Sequence, residues 1–261
     1  MSNATRPRSP FEPANQSSDH FLDLDASIVA TDQLRATRDK IAVTIRHKAM
    51  CCIFGPAGLG KTFSVNASLR ELAPEATIRL VCRSRPYPTD VREALYRLLH
   101  LPGDPPGKPG KIDDILKPEL SRSFRVLLCD EAQWMNTSCF EYFRHLWDEP
   151  ETQIAIVFVG GEQAARVLKS EPALASRIYK WGKFRPLSRA EVLKAIPDMH
   201  PLWTLASEEM LAYIDQEAAH GNFRMWASIT HQVLDKMTER GIETPTEELA
   251  DWIISEIKAS L

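Results

Sequence analysis

The 261-residue sequence lacks several features that would place a protein in a function class at once. Its apolar runs are far shorter than the ~20 residues that a membrane-spanning helix needs, and its first residues contain no apolar signal core. The five cysteines show no CxxC spacing, and four of them sit in or beside apolar runs, so we expect those four to be buried free thiols in a reducing compartment. The net charge of −3 gives no general attraction for polyanions, so nucleic-acid binding would need a local basic patch. These absences predict a cytoplasmic protein without a membrane partner.

The order of the apolar segments predicts the fold class and the domains. Runs that are too short for helices alternate with helical patterns, and they occupy residues 49–54, 77–82, 126–129, 154–159 and about 180–185. Such an alternation is typical of α/β proteins, in which helices cover both faces of a parallel sheet. From Ser188 onward only helical patterns occur. We therefore predict a disordered tail over 1–25, an α/β core over 26–187 and an all-helical domain over 188–261.

A glycine-rich loop follows the first predicted strand. Residues 55–62 read GPAGLGKT and fit the pattern GxxxxGK[ST], with a strand before and a helix after. The glycines let backbone amides converge on phosphate oxygens, and the start of the helix adds partial positive charge. We predict ATP binding, with Lys61 at the β- and γ-phosphates and the Thr62 hydroxyl as a ligand of Mg²⁺; the alternative is a structural glycine turn. The predicted nucleotide-binding residues here are Gly55, Pro56, Ala57, Gly58, Leu59, Gly60, Lys61, Thr62 and Phe63.

The third predicted strand ends in two acidic residues, Asp130 and Glu131. A phosphate-binding loop needs an acid on a neighbouring buried strand, and Asp130 would hold Mg²⁺ directly or through water. Glu131 would polarise the attacking water as a general base. The alternative is that both acids only cap the following helix. The presence of the second acid favours hydrolysis by water over transfer to a small substrate.

Taken together, the motifs resemble those of AAA+ ATPases, over about residues 28 to 240. They are GPAGLGKT at 55–62, LLCDEAQ at 127–133, FVGG at 158–161, LASRI at 174–178 and HGNFR at 220–224. Within AAA+ ATPases the sequence is most similar to the transposition regulators typified by phage Mu B, TniB and TnsC. Secretion ATPases of the ExeA type share the DEAQ signature. The resemblance implies a P-loop AAA+ core followed by a small helical lid domain.

The resemblance also implies roles for two arginines. Arg177 in LASRI falls where the family places an arginine finger, which enters the active site of a neighbouring subunit. Arg224 in HGNFR falls at the sensor-2 position, from which it would contact the γ-phosphate. The alternatives are an ordinary surface arginine for Arg177 and a structural ion pair at a helix start for Arg224.

Two further positions follow from the resemblance. Ile28 and Val29 correspond to residues that contact the adenine ring, although plain core packing is an equally good interpretation. Many family members carry a polar residue at the end of the fourth strand, where this chain has Gly160 and Gly161. Gln163 is a weak candidate for that sensor-1 role.

A basic segment is the candidate contact for DNA. Arginines cluster across the second strand and the helix after it, at positions 79, 83, 85, 92 and 97. Family members line the inside of a ring or filament with residues from this region. Arg83 and Arg85 stand in a proline-stiffened loop suited to gripping phosphates. Residues 101–111 are rich in proline and glycine and predict a second loop, in which Lys108 and Lys111 are secondary candidates. The alternative is a solvated basic face or a salt bridge between subunits.

Three functions fit these residues. The first is an ATP-dependent regulator of transposition that forms a ring or helical filament on double-stranded DNA, without sequence preference, and recruits or activates a transposase. The second is another AAA+ role, such as a helicase loader or an ExeA-type secretion ATPase. The third is a P-loop kinase of small molecules, against which Arg177 and Arg224 argue because a kinase needs no finger from a neighbour.

Overall fold

A computed structural model of the chain describes residues 24, 27, 29–82 and 84–260. The tail predicted over 1–25 therefore lies outside the described residues except for Leu24, and so do Ile28 and Arg83.

The chain divides into two compact units. Among the described residues, the first unit contains Ala36–Gly55 and Lys61–Lys183. The second unit contains residues 24, 27 and 29–35, Pro56–Gly60 and the chain from Phe184 onward.

The first unit is built on a parallel five-stranded sheet in the order β2-β3-β4-β1-β5. Its strands are β1 Met50–Phe54, β2 Thr77–Val81, β3 Arg125–Asp130, β4 Ile154–Gly160 and β5 Ile178–Lys183. Every pairing is parallel, with Cys51 opposite Val157 and Leu127 opposite Ile156. All residues of β1 and β4 are buried, because helices cover both faces of a parallel sheet. The predicted α/β fold is confirmed, including its fifth strand.

The helices of this unit pack on the sheet. They are α1 Asp32–Arg46 (which begins in the second unit), α2 Lys61–Leu72, α3 Pro88–Leu98, α4 Pro109–Arg122, α5 Thr137–Asp148, α6 Glu162–Ser170 and the short α7 Pro172–Ala175. The prediction of a loop over 101–111 is wrong at its end, since α4 already begins at Pro109. Proline is tolerated at a first helical position because that amide has no partner within the helix.

The core of the first unit contains the cysteines. All five are buried and free, including the four for which this was predicted. Burial raises the pKa of Cys139 to about 11 and that of Cys82 to about 12, so both thiols stay protonated at neutral pH. They pack in the core as small apolar side chains.

The second unit is helical after Phe184. Its helices are α8 Arg189–Met199, α9 Glu208–Ile214, α10 Phe223–Arg240 and α11 Glu247–Ser260, with a 3₁₀ turn over Pro201–Leu205 and a π turn over Asp215–Ala219. Trp203 and Trp226 are fully buried and meet edge to face at 5.2 Å. The Asp215 carboxylate accepts from Trp226 Nε1 at 2.9 Å and from the Gly221 amide at 2.7 Å. The core thereby fixes the turn that precedes α10.

In the part of the chain that the structure describes, no helix has the length and apolar character that a bilayer crossing demands.

Candidate active site

The carboxyl ends of three neighbouring strands form the centre of the candidate site. Because β4 lies between β3 and β1, Asp130, Gly160 and Phe54 end side by side. The glycine loop leaves this edge from β1 and the two predicted acids stand at the end of β3. Ligands of open parallel sheets bind in the crevice outside the carboxyl ends. The topology thus brings together the two motifs that the sequence places far apart.

The loop conformation accounts for its glycines. The φ angle is 146° at Gly55, 79° at Gly58 and 84° at Gly60, values that strain a residue with a side chain. Lys61 opens α2, and both Lys61 and Thr62 are half-buried. The first amides of a helix have no partner within it, so the start of α2 attracts anions. The loop therefore has the geometry of a phosphate cradle.

Within the second unit, the turn before α10 fixes two carbonyls of the loop. Asn222 Nδ2 donates to Ala57 O at 3.0 Å, and the Arg224 amide donates to Gly58 O at 3.1 Å. The N–H of a trans peptide points away from its C=O, so the amides of Gly58 and Leu59 point away from this turn. A Cβ on Gly58 would lie 2.3 Å from Asn222 Oδ1. The contact depends on glycine and leaves the loop amides open to an anion.

Asp130 is the buried acid of the site. Its Oδ1 accepts from the Thr62 hydroxyl at 3.1 Å and from the Glu131 amide at 3.0 Å, while Arg79 Nη2 donates to its Oδ2 at 3.0 Å. The Asp130 side chain is only 4% exposed, so its charge needs these partners. The bond from Thr62 joins the glycine loop motif directly to the end of β3.

Thr62 and Asp130 provide oxygen donors that fit Mg²⁺. Their contact places a hydroxyl and a carboxylate together where the loop would bind phosphates. The described residues contain no group of three or more His, Cys, Asp or Glu that could hold a metal alone. A Mg²⁺ ion usually keeps several waters and shares substrate phosphates, so a pair of protein donors is sufficient. These two residues would hold the ion, and the ion would supply positive charge to the phosphate oxygens.

Glu131 has a left-handed backbone conformation. Its φ is 56°, it is exposed, and a single 3₁₀ turn over Ala132–Trp134 follows it. Gln133 Nε2 donates to Glu131 Oε2, and Gln133 Oε1 accepts from the Gly161 amide at 2.8 Å. Sequence reasoning missed this role of Gln133, although the DEAQ motif contains it. The weak candidate Gln163 is exposed on α6 and accepts from Arg166 at 3.1 Å instead.

Arg177 lies at the opposite edge of the sheet. It immediately precedes β5, whose first residue pairs with Met50 at the start of β1. A five-residue strand spans about 16 Å, so Arg177 is separated from the glycine loop of its own chain. Arg177 Nε donates to Asp148 Oδ1 at 3.3 Å. It also borders an open cleft of about 500 Å³, lined by His47, Ala49, Trp147, Ser176, Arg177 and Tyr179.

The other residues that the sequence predicts to contact the nucleotide lie in both units. Arg224 is exposed at the start of α10, and Phe63 is half-buried in α2. Val29 packs against the core of the second unit. The sensor-2 and adenine roles stay predictions, and Ile28 lies outside the described residues.

The candidate DNA contacts lie at the starts of two helices. Both α3 and α4 run away from the carboxyl edge, because α3 follows β2 and α4 leads to the start of β3. Arg92 and Asp113, each the fifth residue of its helix, form an ion pair at 2.9 Å, so the helices start side by side. Arg85 stands before α3, and Lys108 and Lys111 stand at the start of α4, all exposed. We call these three residues the basic rim.

The rest of the basic cluster is neutralised. Arg79 pairs with Asp130, Arg92 with Asp113, and Arg97 with Glu93 at 3.0 Å. The positive balance of this region is therefore smaller than the sequence suggests. Arg83 lies outside the described residues.

Comparison with known proteins identifies the core. Residues 44–168 match the family model described as an AAA domain. A search of curated protein sequences gives no match.

Three solved structures illustrate the proteins that share this fold. Cdc6p from Pyrobaculum aerophilum has a TM-score of 0.74 and 15% identity, over 88% of this chain and 69% of that one. The ORC1 protein of Aeropyrum pernix in complex with DNA has a TM-score of 0.66 and 18% identity, over 86% and 64%. The RuvB Holliday junction branch migration motor of Thermotoga maritima has a TM-score of 0.58 and 15% identity, over 87% and 69%. At these identities the likeness establishes the fold, which is that of P-loop AAA+ proteins.

The chain therefore carries an AAA domain over residues 44–168, and it is an ATPase.

Proposed function

We propose that this AAA+ ATPase works on double-stranded DNA as an assembly of identical subunits, each of which completes its neighbour's active site. The observation that carries the proposal is the position of Arg177, at the edge of the sheet opposite the glycine loop and beside an open cleft. An arginine so placed is separated from the nucleotide site of its own chain by the length of a strand, which supports a role at the site of another molecule. Self-assembly in a ring or filament brings such edges together.

The residues at the carboxyl edge would carry the chemistry. The loop amides and Lys61 bind the phosphates, and Glu131 accepts a proton from the attacking water. A bond forms between the water oxygen and the γ-phosphorus. The bond from that phosphorus to the bridging oxygen breaks, and its electron pair leaves with ADP. Arg177 of the neighbouring subunit stabilises the charge on the transferring phosphoryl group.

The basic rim supports DNA as the polymer on which the assembly forms. Arg85, Lys108 and Lys111 are exposed, and two parallel helix starts add partial positive charge beside them. Contacts of this kind grip phosphates without reading bases. The likeness to an ORC1 protein in complex with DNA and to a branch migration motor agrees with this role.

The task served by hydrolysis has two candidates. The fold likeness to Cdc6p, ORC1 and RuvB favours a broader DNA-associated AAA+ role, such as a helicase loader. The motif resemblance favours a regulator that recruits a transposase. Purification of the tagged chain on DNA with its bound proteins distinguishes the two, because one predicts a helicase subunit and the other a transposase.

Mixing two inactive variants tests the assembly. Arg177→Ala keeps its own site but lacks the finger, whereas Glu131→Gln binds ATP, keeps the finger and should hydrolyse ATP at least ~100-fold more slowly. In an equal mixture about one site in four pairs an intact site with an intact finger, so hydrolysis should reappear. The measurement is the rate of phosphate release per subunit against protein concentration.

Arg70→Ala is the matched control, since Arg70 is also exposed but lies in α2. It should hydrolyse ATP like the wild type. A wild-type rate for Arg177→Ala, together with turnover that is independent of protein concentration, would contradict the proposal.

A further inference from the structure

Strand β4, next to the two acids, ends at Gly160, and both Gly160 and Gly161 lie beside Gln133. Gln133 is half-buried and its amide spans the gap between Glu131 and the end of β4. One end donates to Glu131 Oε2, and the other accepts from the Gly161 amide at 2.8 Å. The side chain therefore links the carboxylate to the rigid centre of the sheet.

Gly160 makes the room for this link. A Cβ on Gly160 would lie 2.6 Å from Gln133 Oε1, closer than real Cβ contacts come, and 3.0 Å from the Gln133 amide nitrogen, which is a tight contact. A Cβ on Gly161 would lie 3.8 Å from the nearest atom of Gln133, an ordinary contact. Neither glycine has a positive φ angle, so neither is required by the backbone. The absence of a side chain at Gly160 is explained by the approach of Gln133.

Glu131 needs such a restraint. Its side chain is exposed, and its backbone has a left-handed conformation just before a single 3₁₀ turn. A long exposed carboxylate samples several rotamers, and a misplacement of about 1 Å can cost a catalytic group ~100-fold in rate. The bond from Gln133 occupies Oε2, which leaves Oε1 to face water.

We propose that Gln133 is a positioning residue for hydrolysis, which holds the Glu131 carboxylate against the end of β4 in the orientation that accepts a proton from water. The inference rests on the proposed role of Glu131 as the general base. Gln133 itself does not touch the phosphates. It acts through Glu131, and its own side chain is held by the hydrogen bond from the Gly161 amide.

The first test separates positioning from binding. Gln133→Ala should lower kcat by ~10- to 100-fold, the range for a misplaced base, while KM and the Kd of ATP change by less than about threefold. Gln133→Glu keeps the volume but cannot donate to a carboxylate, so its kcat should fall at least as far. A kcat within about twofold of wild type for both variants would overturn the inference.

The second test is a double-mutant cycle with Glu131→Gln. If Gln133 acts only through the carboxylate, Gln133→Ala should change the residual rate of Glu131→Gln by less than about twofold. An equal loss in both backgrounds would show that Gln133 merely supports the fold. Wild-type hydrolysis by Glu131→Gln itself would instead refute the base assignment, so the two failures are distinguishable.

The glycine pair supplies a matched control. Gly160→Ala should displace the Gln133 side chain and reproduce the kcat loss of Gln133→Ala, with ATP still bound. Gly161→Ala retains the amide that Gln133 accepts from and has room for its methyl group, so its kcat should stay within about twofold of wild type. Equal rates for the two alanine variants would count against the link.

Discussion

Gly58 shows how one residue sets the shape of the phosphate loop. Its φ of 79° suits glycine, and the Oδ1 of Asn222 occupies the place where a Cβ would be. The same asparagine holds Ala57 O and accepts from the amides of Arg224 and Met225. Conformation and contact therefore depend on the same missing side chain.

Gly58→Ala should lower ATP affinity at least ~10-fold. The left-handed conformation costs an alanine about 1 kcal/mol, and the methyl group must push Asn222 out of its bond to Ala57. Titration with a fluorescent ATP analogue measures the change. Gly107→Ala is the control, because a Cβ there meets nothing within 4 Å. Equal affinities for the two variants would mean that the loop tolerates another shape.

At the scale of single residues, the sequence predicts those site residues that belong to short motifs. The glycines of the loop, Lys61, Thr62 and the acids at 130 and 131 all follow from local patterns. The link from Gln133 to Gly161 does not, because it joins residues that only the strand order brings together. The pairing of Arg79 with Asp130 was missed for the same reason.

At the scale of secondary-structure elements, helix α8 begins with a complete capping box between Ser188 and Glu191. The Ser188 amide donates to Glu191 Oε2 at 2.7 Å, and the Arg185 guanidinium donates to both Glu191 oxygens, at 2.6 and 2.9 Å. The hydrogen bonds from Arg185 lower the pKa of Glu191 most. Burial raises this pKa, the bonds from Ser188 lower it further, and the result is a pKa of about 2. The folded state therefore favours the ionised carboxylate.

Glu191→Gln should destabilise the second unit by about 1 kcal/mol at pH 7, as for the loss of a helix cap. Because the folded pKa is below the unfolded value of ~4.3, the wild-type advantage is complete above that value. It should shrink as the pH falls from there toward 2, through the folded pKa. Urea unfolding of both proteins between pH 7 and pH 3 measures the difference.

Glu256→Gln serves as the control for this comparison, since Glu256 is exposed on α11. Its unfolding free energy should match that of the wild type at every pH. A constant difference between Glu191→Gln and wild type down to pH 3 would contradict the role of the charge.

Strands were easier to predict from the sequence than helix starts. Short apolar runs identified the first four strands to within a few residues, and the fifth, which has no such run, was predicted two residues late. The start of α4 was missed because Pro109 and Gly110 suggest a loop, although proline is favourable in a first helical turn. Tertiary packing against α3, through Arg92 and Asp113, selects the helix.

On the scale of the whole molecule, the proposed DNA binding depends on many subunits. The basic rim offers three exposed cations, which offset little of the cost of association. An ATP-bound assembly would align many such rims along a duplex and multiply their effect. Binding should therefore require ATP, ignore base sequence and fall steeply with salt.

Changing Arg85, Lys108 and Lys111 together to alanine should weaken binding to all sequences alike. Each lost phosphate contact reduces the slope of log K against log salt by about 0.9, so the slope should flatten by between about 2 and 3 for each subunit engaged. ATP binding should be unchanged. Fluorescence anisotropy of a labelled random duplex, with ATP, ADP or neither over a salt series, measures all of these effects.

A second triple variant controls for net charge. Arg70, Arg189 and Lys194 are also exposed, and their change to alanine removes the same charge from other helices. Its DNA affinity and salt slope should stay close to those of the wild type. An equal loss in both triple variants would indicate a general charge effect, and equal affinity in all nucleotide states would contradict an ATP-gated assembly.

The space shared by Gly160 and Gln133 also constrains how this enzyme can evolve. A side chain at residue 160 would lie 2.6 Å from the present position of Gln133 Oε1, so a glutamine at residue 133 could stay only by moving away from the Gly161 amide. Adding a polar residue at the end of β4 should therefore break the link from Gln133 to Gly161 and slow the enzyme. Across related genes the two positions should therefore change as a pair, glycine with glutamine or a larger residue with a smaller one.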